Sequence, residues 1–173
     1  MKSESNINLT RFTERDHGHL IVAHTHLLHE AYAPLAAKGM KYLATHQPPT
    51  KTLERLLDGE SYLAFLDTTL IGTVTLYSED LQSTCEYYRK PGVYSFGQFA
   101  IHPTAQGKGY GSAIMEKLET RAKELGASEL ALDTSEHAAD LISRYEKRGY
   151  LAVAHTKWEV TNYHSVVMAK KLE

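Results

Sequence analysis

The chain has 173 residues, of which 42% are hydrophobic and 23% charged, with a formal net charge of -2. This balance predicts one water-soluble domain over residues 1–173, with no general attraction to nucleic acid or to an anionic membrane. No apolar run reaches the length of a membrane span, residues 1–6 lack the apolar core of a signal peptide, and the single Cys85 cannot form an internal disulfide, so we expect a cytoplasmic protein.

The first half of the chain predicts one strand and two helices, followed by a β-hairpin and a long loop. Alternating residues over 7–12 indicate a strand, and the helical pattern after Asp16 ends near Pro34. Residues 38–49 are irregular, residues 52–57 form a short helix, and residues 62–66 and 71–77 form a hairpin. Residues 78–92 are a polar and aromatic loop, and loops of this length in compact domains are often functional.

The second half predicts alternating strands and helices. An apolar strand ends at Ile101, and apolar residues three or four apart indicate a helix that ends at Gly126. A strand over 130–132, a helix that contains Tyr145 and ends at Gly149, and two strands over 151–154 and 165–169 complete the chain. The order β-α-α-β-β-β-α-β-α-β-β predicts a mixed α/β sheet with helices on both faces.

The glycine-rich segment after Ile101 is the strongest functional signal. It joins a strand to a helix, and glycines there let the backbone approach a ligand closely. The first N–H groups of a helix have no intrahelical partner and lie at the positive end of its dipole. The junction therefore predicts binding of a phosphate or pyrophosphate.

Spacing separates the known types of phosphate-binding loop. A P-loop requires a glycine where His102 stands and a hydroxyl residue where Gly109 stands. A dinucleotide loop requires a third glycine where Ser112 stands, although Asp133 lies at about the distance of a ribose-binding acid. The dinucleotide interpretation is weakened and stays open.

Two motifs resemble the GNAT superfamily of N-acetyltransferases. The segment Gln106-x-x-Gly109-x-Gly111 resembles the family's acetyl-CoA signature, and the segment from Tyr145 to Tyr150 resembles its Tyr-x-x-x-Gly-Phe/Tyr segment. The order of elements matches the family over nearly the whole chain. The resemblance implies a GNAT-like fold in which the strand ending at Ile101 separates from the strand over 130–132, so that the pantetheine arm of acetyl-CoA lies between them.

The resemblance also implies which residues bind the cofactor. Backbone N–H groups near Phe99 and Ile101 would bind pantetheine or polarise the thioester oxygen. Main-chain donors of the glycine segment would hold the pyrophosphate, and Lys108 either adds charge there or is a solvated loop lysine. Thr134 and His137 either contact pantetheine or merely begin a helix. The full implied set is Phe99, Ile101, Gln106, Gly107, Lys108, Gly109, Tyr110, Gly111, Ser112, Thr134, His137, Leu141 and Tyr145.

The implied chemistry is direct attack of a primary amine, from a small molecule or a peptide, on the acetyl-CoA thioester. Tyr145 is the predicted general acid, because a phenol stays protonated at pH 7; a core tyrosine on an apolar stripe is the competing interpretation. The strand before Ile101 holds no carboxylate, so the base is a water relay through Gln98 or Ser95, or Glu79 or Glu86 from the long loop.

The acceptor side carries weaker signals. The resemblance places the first helix region beside the acceptor, so His29, Tyr32, Tyr87 and Tyr88 are candidates for shaping specificity, although aromatic residues are also ordinary packing. The histidines of this region form no pattern of metal ligands with nearby carboxylates, and we expect no metal. Relatives are often dimers, so the resemblance allows a homodimer. The alternatives are a non-catalytic acyl-CoA sensor of the same fold, which the missing strand carboxylate motivates, and a nucleotide-binding oxidoreductase.

Overall fold

A computed structural model describes residues 7–173, so the expectation about a signal peptide in residues 1–6 lies outside the described residues. One sheet has the strand order β1-β2-β3-β4-β5-β7-β6. Its strands are β1 (Ile7–Arg11), β2 (Glu60–Leu66), β3 (Thr69–Tyr77), β4 (Val93–Ile101), β5 (Glu129–Ser135), β6 (Leu151–Thr156) and β7 (Ser165–Lys171). Strands β4 and β5 are parallel, and the other neighbours are antiparallel. The predicted α/β fold class is confirmed, and the predicted order of elements holds except for one additional short helix after β1.

The helices differ from the prediction at their ends. They are α1 (Glu14–His17), α2 (Ile21–Ala37), α3 (Pro49–Leu57), α4 (Tyr110–Glu124) and α5 (Ala139–Lys147). The predicted end near Pro34 is wrong, because α2 continues through that proline to Ala37, although Pro34 has no N–H to donate to the carbonyl of Glu30. Helix α3 begins at Pro49 rather than residue 52, since proline favours the first helical position. Residues Leu43–Thr45, within the segment predicted as irregular, form a 3-10 turn.

Helices cover both faces of the sheet. Leu63 and Ala64 are neighbours in β2 and point to opposite faces. Leu63 packs with Leu56 of α3, whereas Ala64 belongs to the cluster that contains Leu118 of α4. Helix α5 lies on the α4 face, and α2 packs with α3 on the other, which we call the α2/α3 face.

The parallel pair β4 and β5 separates part-way along its length. Their register runs only from Val93 opposite Glu129 to Ser95 opposite Ala131. Beyond that point β4 contains a bulge, because three steps from Gly97 to Ala100 oppose two steps along β3. Gln98 lies in the bulge with a φ of 48°, in the left-handed region that few side chains adopt. The two strands therefore leave a gap, as the resemblance predicted.

Candidate active site

A cleft of about 1110 Å³ opens where β4 and β5 separate. Residues from both faces of the sheet line it: Tyr145 from α5 and Gly111 from α4 on one side, and Tyr32 from α2 and Arg55 from α3 on the other. Because the gap passes through the sheet, a group bound on the α4 face can reach a group bound on the α2/α3 face.

The glycine loop lies at one end of this cleft. Gly107 and Gly109 have φ values of 75° and 85°, and a Cβ at either position would meet no other atom within 4 Å, so the backbone conformation is what requires glycine. Gly109 is the N-cap of α4 and has no side-chain cap. The N–H groups of Tyr110, Gly111 and Ser112 therefore have no intrahelical partner, and their residues line the cleft. These are donors of the kind that a diphosphate needs.

Three other groups in or beside the loop have different surroundings. The side-chain amide of Gln106 donates to the carbonyl of Ile101 at 2.9 Å and ties the loop to the end of β4. His102 N–H donates to Ile71 O at 2.7 Å, so the N–H of Ile101, one position earlier, points away from β3 and toward the gap. Lys108 is exposed and is not among the residues that line the cleft.

Tyr145 projects from the last turns of α5 into the cleft. Its ring packs against Phe96 and Tyr150 at centroid distances of 6.1 and 5.8 Å. The segment behind it is anchored to α4, because Glu119 accepts hydrogen bonds from Arg148 at 2.9 Å and from the Tyr150 hydroxyl at 3.0 Å. Burial raises the pKa of Tyr145 above its ordinary value, so its phenol carries its proton at neutral pH.

The α2/α3 side of the cleft is built from tyrosines. The Tyr32 hydroxyl donates to the carbonyl of Phe99 at 3.0 Å, and burial raises the pKa of Tyr32 to about 12. Tyr42 shares a hydrogen bond of 2.7 Å with Thr134 and packs against Tyr163 at 4.9 Å. Tyr42 and Tyr163 line the cleft, yet neither belongs to a sequence motif.

A chain of side-chain amides connects α3 to the bulge. Arg55 Nη1 donates to Gln47 Oε1 at 2.7 Å, and Gln47 Nε2 donates to Gln98 Oε1 at 2.9 Å. Because a guanidinium can only donate, this order fixes the orientation of both amides. The Nε2 atom of Gln98 is buried and has no hydrogen-bond partner among residues 7–173.

Asp133 of β5 supplies a carboxylate to the cleft. Its two oxygens accept hydrogen bonds of 2.7 Å each, from the Tyr88 hydroxyl and from Trp158 Nε1. Burial raises the pKa of Asp133, against the opposing effect of these hydrogen bonds. The carboxyl is therefore a stronger base than an exposed aspartate.

A comparison with known protein families shows to which family the chain belongs. Residues 24–150 match the sequence profile of the acetyltransferase (GNAT) family. The chain belongs to the GNAT family. This confirms the resemblance that the two motifs carry and identifies the protein as an acyltransferase.

Individual relatives of this GNAT chain are distant. The S-(2-succino)cysteine N-acetyltransferase of Bacillus subtilis is 26% identical over 82% of this chain and 83% of its own length. The uncharacterized N-acetyltransferase YdgE of the same organism is 34% identical, but the match spans only 46% of each chain. A crystal structure of an Elizabethkingia anophelis GNAT family acetyltransferase with acetyl-CoA bound superimposes with a TM-score of 0.66, at 18% identity, over 98% of this chain and 100% of that one.

Of the four residues predicted to shape the acceptor side of this GNAT domain, one lies at the cleft. Tyr32 lines the cleft, but His29, Tyr87 and Tyr88 do not. His29 Nε2 lies 2.8 Å from the carbonyl of Gln47, Tyr87 donates to Glu129, and Tyr88 reaches the site through Asp133.

The residues predicted at the end of β5 and the start of α5 are at the cleft. His137 and Leu141 line it together with Thr134. The side chain of His137 is 70% exposed, and Leu141 packs with the cluster of Met40, Ala138 and Tyr163.

Sequence reasoning missed Arg55, Tyr42 and Tyr163, and it considered Asp133 only as a ribose-binding acid. Each is a single residue in an ordinary helix, loop or strand, so no spacing could mark it. The only available signal for Asp133 was a carboxylate directly after the apolar run from Leu130 to Leu132.

The histidines of the GNAT domain do not form a shared site. Residues 7–173 contain no group of three or more metal-ligating side chains. His26 is exposed, whereas His24 is buried and has no hydrogen-bond partner among the described residues. Within residues 7–173, none of the helices has the length and hydropathy that a bilayer crossing requires.

Proposed function

We propose that the protein transfers the acetyl group of acetyl-CoA directly to a primary amine within a ternary complex. The observation that carries the proposal is the gap between β4 and β5, which connects the glycine loop and Tyr145 on one face to Asp133 on the other. Acetyl-CoA and amine can therefore bind from opposite faces and meet between the strands.

The cofactor side fits coenzyme A through its donor groups. The free N–H groups at the start of α4 and the segment from Gln106 to Ser112 would hold the diphosphate, and the N–H of Ile101 would bind pantetheine or the thioester oxygen. Thr134, His137 and Leu141 would border the pantetheine arm. Lys108 is exposed, so its proposed part is limited to charge at the entrance. When bound, acetyl-CoA supplies an activated acyl group.

Two side chains would move the protons of the reaction. As the bond between the amine nitrogen and the acetyl carbon forms, Asp133 accepts the proton that the amine loses. As the carbon–sulfur bond breaks, the electron pair goes to sulfur, and Tyr145 donates its phenolic proton to it. Solvent then restores both groups.

The base is the largest change from the sequence prediction. Glu79 accepts a hydrogen bond from Gly92 N–H at 2.6 Å and does not line the cleft. Gln98 stays in the proposal as part of a water relay, because its Nε2 lacks a partner among the described residues. Asp133 is preferred as the final acceptor because burial raises its pKa and it faces the gap.

The acceptor class has support from one relative. The Bacillus subtilis relative is named for acetylation of S-(2-succino)cysteine, a small molecule with an amino group. We propose a small-molecule or peptide amine for this chain as well. A cytoplasmic location and a homodimer stay predictions of the family resemblance.

The test is release of CoA thiol from acetyl-CoA in the presence of polyamines, amino acids, aminoglycosides and peptides. We expect at least one amine to stimulate thiol release and Tyr145→Phe to reduce it. Acetyl-CoA should raise the melting temperature, whereas NAD(P) should not. A rise with acetyl-CoA but no thiol release with any amine would instead support a non-catalytic sensor, and a rise with NAD(P) alone would support an oxidoreductase.

A further inference from the structure

Two half-buried side chains of opposite charge face the cleft without an ion-pair partner. Arg55 and Asp133 both line it, and neither lies within 4.0 Å of an oppositely charged side chain among residues 7–173. By contrast, the largely buried charge of Glu119 is paired with Arg148 and Lys170. Since removing a charge from water is costly unless it is compensated, the arrangement at the cleft requires an explanation.

The two charges lie on the same face of the sheet and on opposite sides of the gap. Ser95 and Ala131 are the last paired residues of β4 and β5, so Gly97 and Asp133, two positions further along, point to that same face. A Cβ on Gly97 would lie 3.8 Å from Arg55 Nη2. The guanidinium is thus beside β4, and the carboxylate is on β5 across the opening.

The present hydrogen bonds of both side chains are to neutral groups, although the charge of Arg55 also lowers the pKa of Asp133 from beyond ion-pair distance. Asp133 is bonded to Tyr88 and Trp158, which are neutral donors. Arg55 donates from Nη1 to the neutral amide of Gln47, and a guanidinium has five N–H donors in all. Gln47 is itself fixed by donating to Thr52 at 2.8 Å. The arginine is therefore held in position by neutral groups, with donors left over that could take an anion.

We infer that the acceptor is an amine that also carries a carboxylate, with its amino group at Asp133 and its carboxylate at Arg55. The inference rests on the proposed acetyl transfer and adds the charge of the substrate. A guanidinium and a carboxylate match in planar, charge-assisted hydrogen bonds, which makes Arg55 the specificity residue. Both side chains line the same cleft of about 1110 Å³, which has room for a small amine that carries a carboxylate.

The experiment compares free amino acids with their carboxamides, which keep the amine and the side chain but lack the negative charge. Thiol release from acetyl-CoA gives kcat/KM for each pair. Conversion to the amide lowers the pKa of the amino group and so increases the free-amine fraction. A preference for the acid therefore cannot come from amine basicity. We expect the acids to be better substrates by at least about 10-fold, because the half-buried guanidinium of Arg55 is left without a partner when the carboxylate is missing.

Variants of Arg55 test whether this residue causes the preference for acids over amides. In Arg55→Met the ratio of kcat/KM for the acid to kcat/KM for the amide should fall to near one. Arg55→Lys should keep part of the preference for the acid. Arg15→Met, which changes an exposed arginine of α1, is the matched control and should keep the full ratio. A melting-temperature rise with acetyl-CoA shows that each variant is folded.

The outcomes separate this inference from the proposed function. If amides are acetylated as well as acids, or if Arg55→Met keeps the ratio, the carboxylate site is wrong while acetyl transfer stands. If acetyl-CoA binds but no amine of either kind is acetylated, the proposed function fails, and the inference fails with it.

Discussion

His24 should make the folded protein sensitive to acid. It is 1% exposed, and neither ring nitrogen has a hydrogen-bond partner among the described residues. Burial lowers its pKa from 6.5 to about 4. Between these values the unfolded chain binds a proton that the folded chain excludes, so stability is complete above pH 6.5 and falls as the pH drops toward 4. At 1.36 kcal/mol per pKa unit, the loss approaches about 3 kcal/mol.

The substitution His24→Leu removes this titration and a buried unpaired N–H group. We expect the free energy of unfolding at pH 7.5 to stay the same or rise, since an unsatisfied polar group costs about 1–3 kcal/mol. Urea unfolding at pH 7.5 and at pH 4.5 measures the effect. Between pH 7.5 and pH 4.5, the free energy of unfolding should fall by about 2–3 kcal/mol less in the variant than in the wild type.

The control is His26→Leu, which removes an exposed imidazole from the same helix and should keep the wild-type pH dependence. Protonation of Asp133 and other carboxyls is common to all three proteins, so the difference between curves isolates His24. Parallel stability curves for His24→Leu and wild type would refute the argument that burial excludes the proton.

Four further predictions concern the site and its support. Tyr145→Phe should lower kcat about 100-fold with little change in KM for acetyl-CoA, as measured by steady-state thiol release; an unchanged kcat would remove Tyr145 as the acid. Because the pKa of Asp133 is raised, the acid limb of the kcat/KM profile should lie above the ordinary aspartate range, and Asp133→Asn should abolish that limb with little change in melting temperature. Glu119→Gln breaks a largely buried pairing with Arg148 and should lower stability by about 3 kcal/mol, seen as a fall of several degrees in melting temperature. Gly109→Ala forces a side chain into a φ of 85° at about 1–2 kcal/mol and should weaken CoA binding in calorimetry.

The sequence alone determined the features that depend on neighbouring residues. Hydrophobic period and glycine placement predicted the order of strands and helices, because these signals repeat within a single element. The loop from Gln106 to Ser112 was recognised for the same reason, since a strand, its glycines and a helix N-terminus are contiguous. Tyr145 was found through a motif that ends at Tyr150 only five residues later.

Tertiary structure decided what the cleft can do on its acceptor side. Arg55 and Asp133 belong to α3 and β5, and they approach the same gap only because β5 pairs with β4 over its first residues and then separates. The bulge at Gln98 and the buried imidazole of His24 also depend on neighbours distant in the chain. Periodicity reports which side of an element is apolar. It carries no information on which charge lies across from another, because that depends on how separate elements pack together.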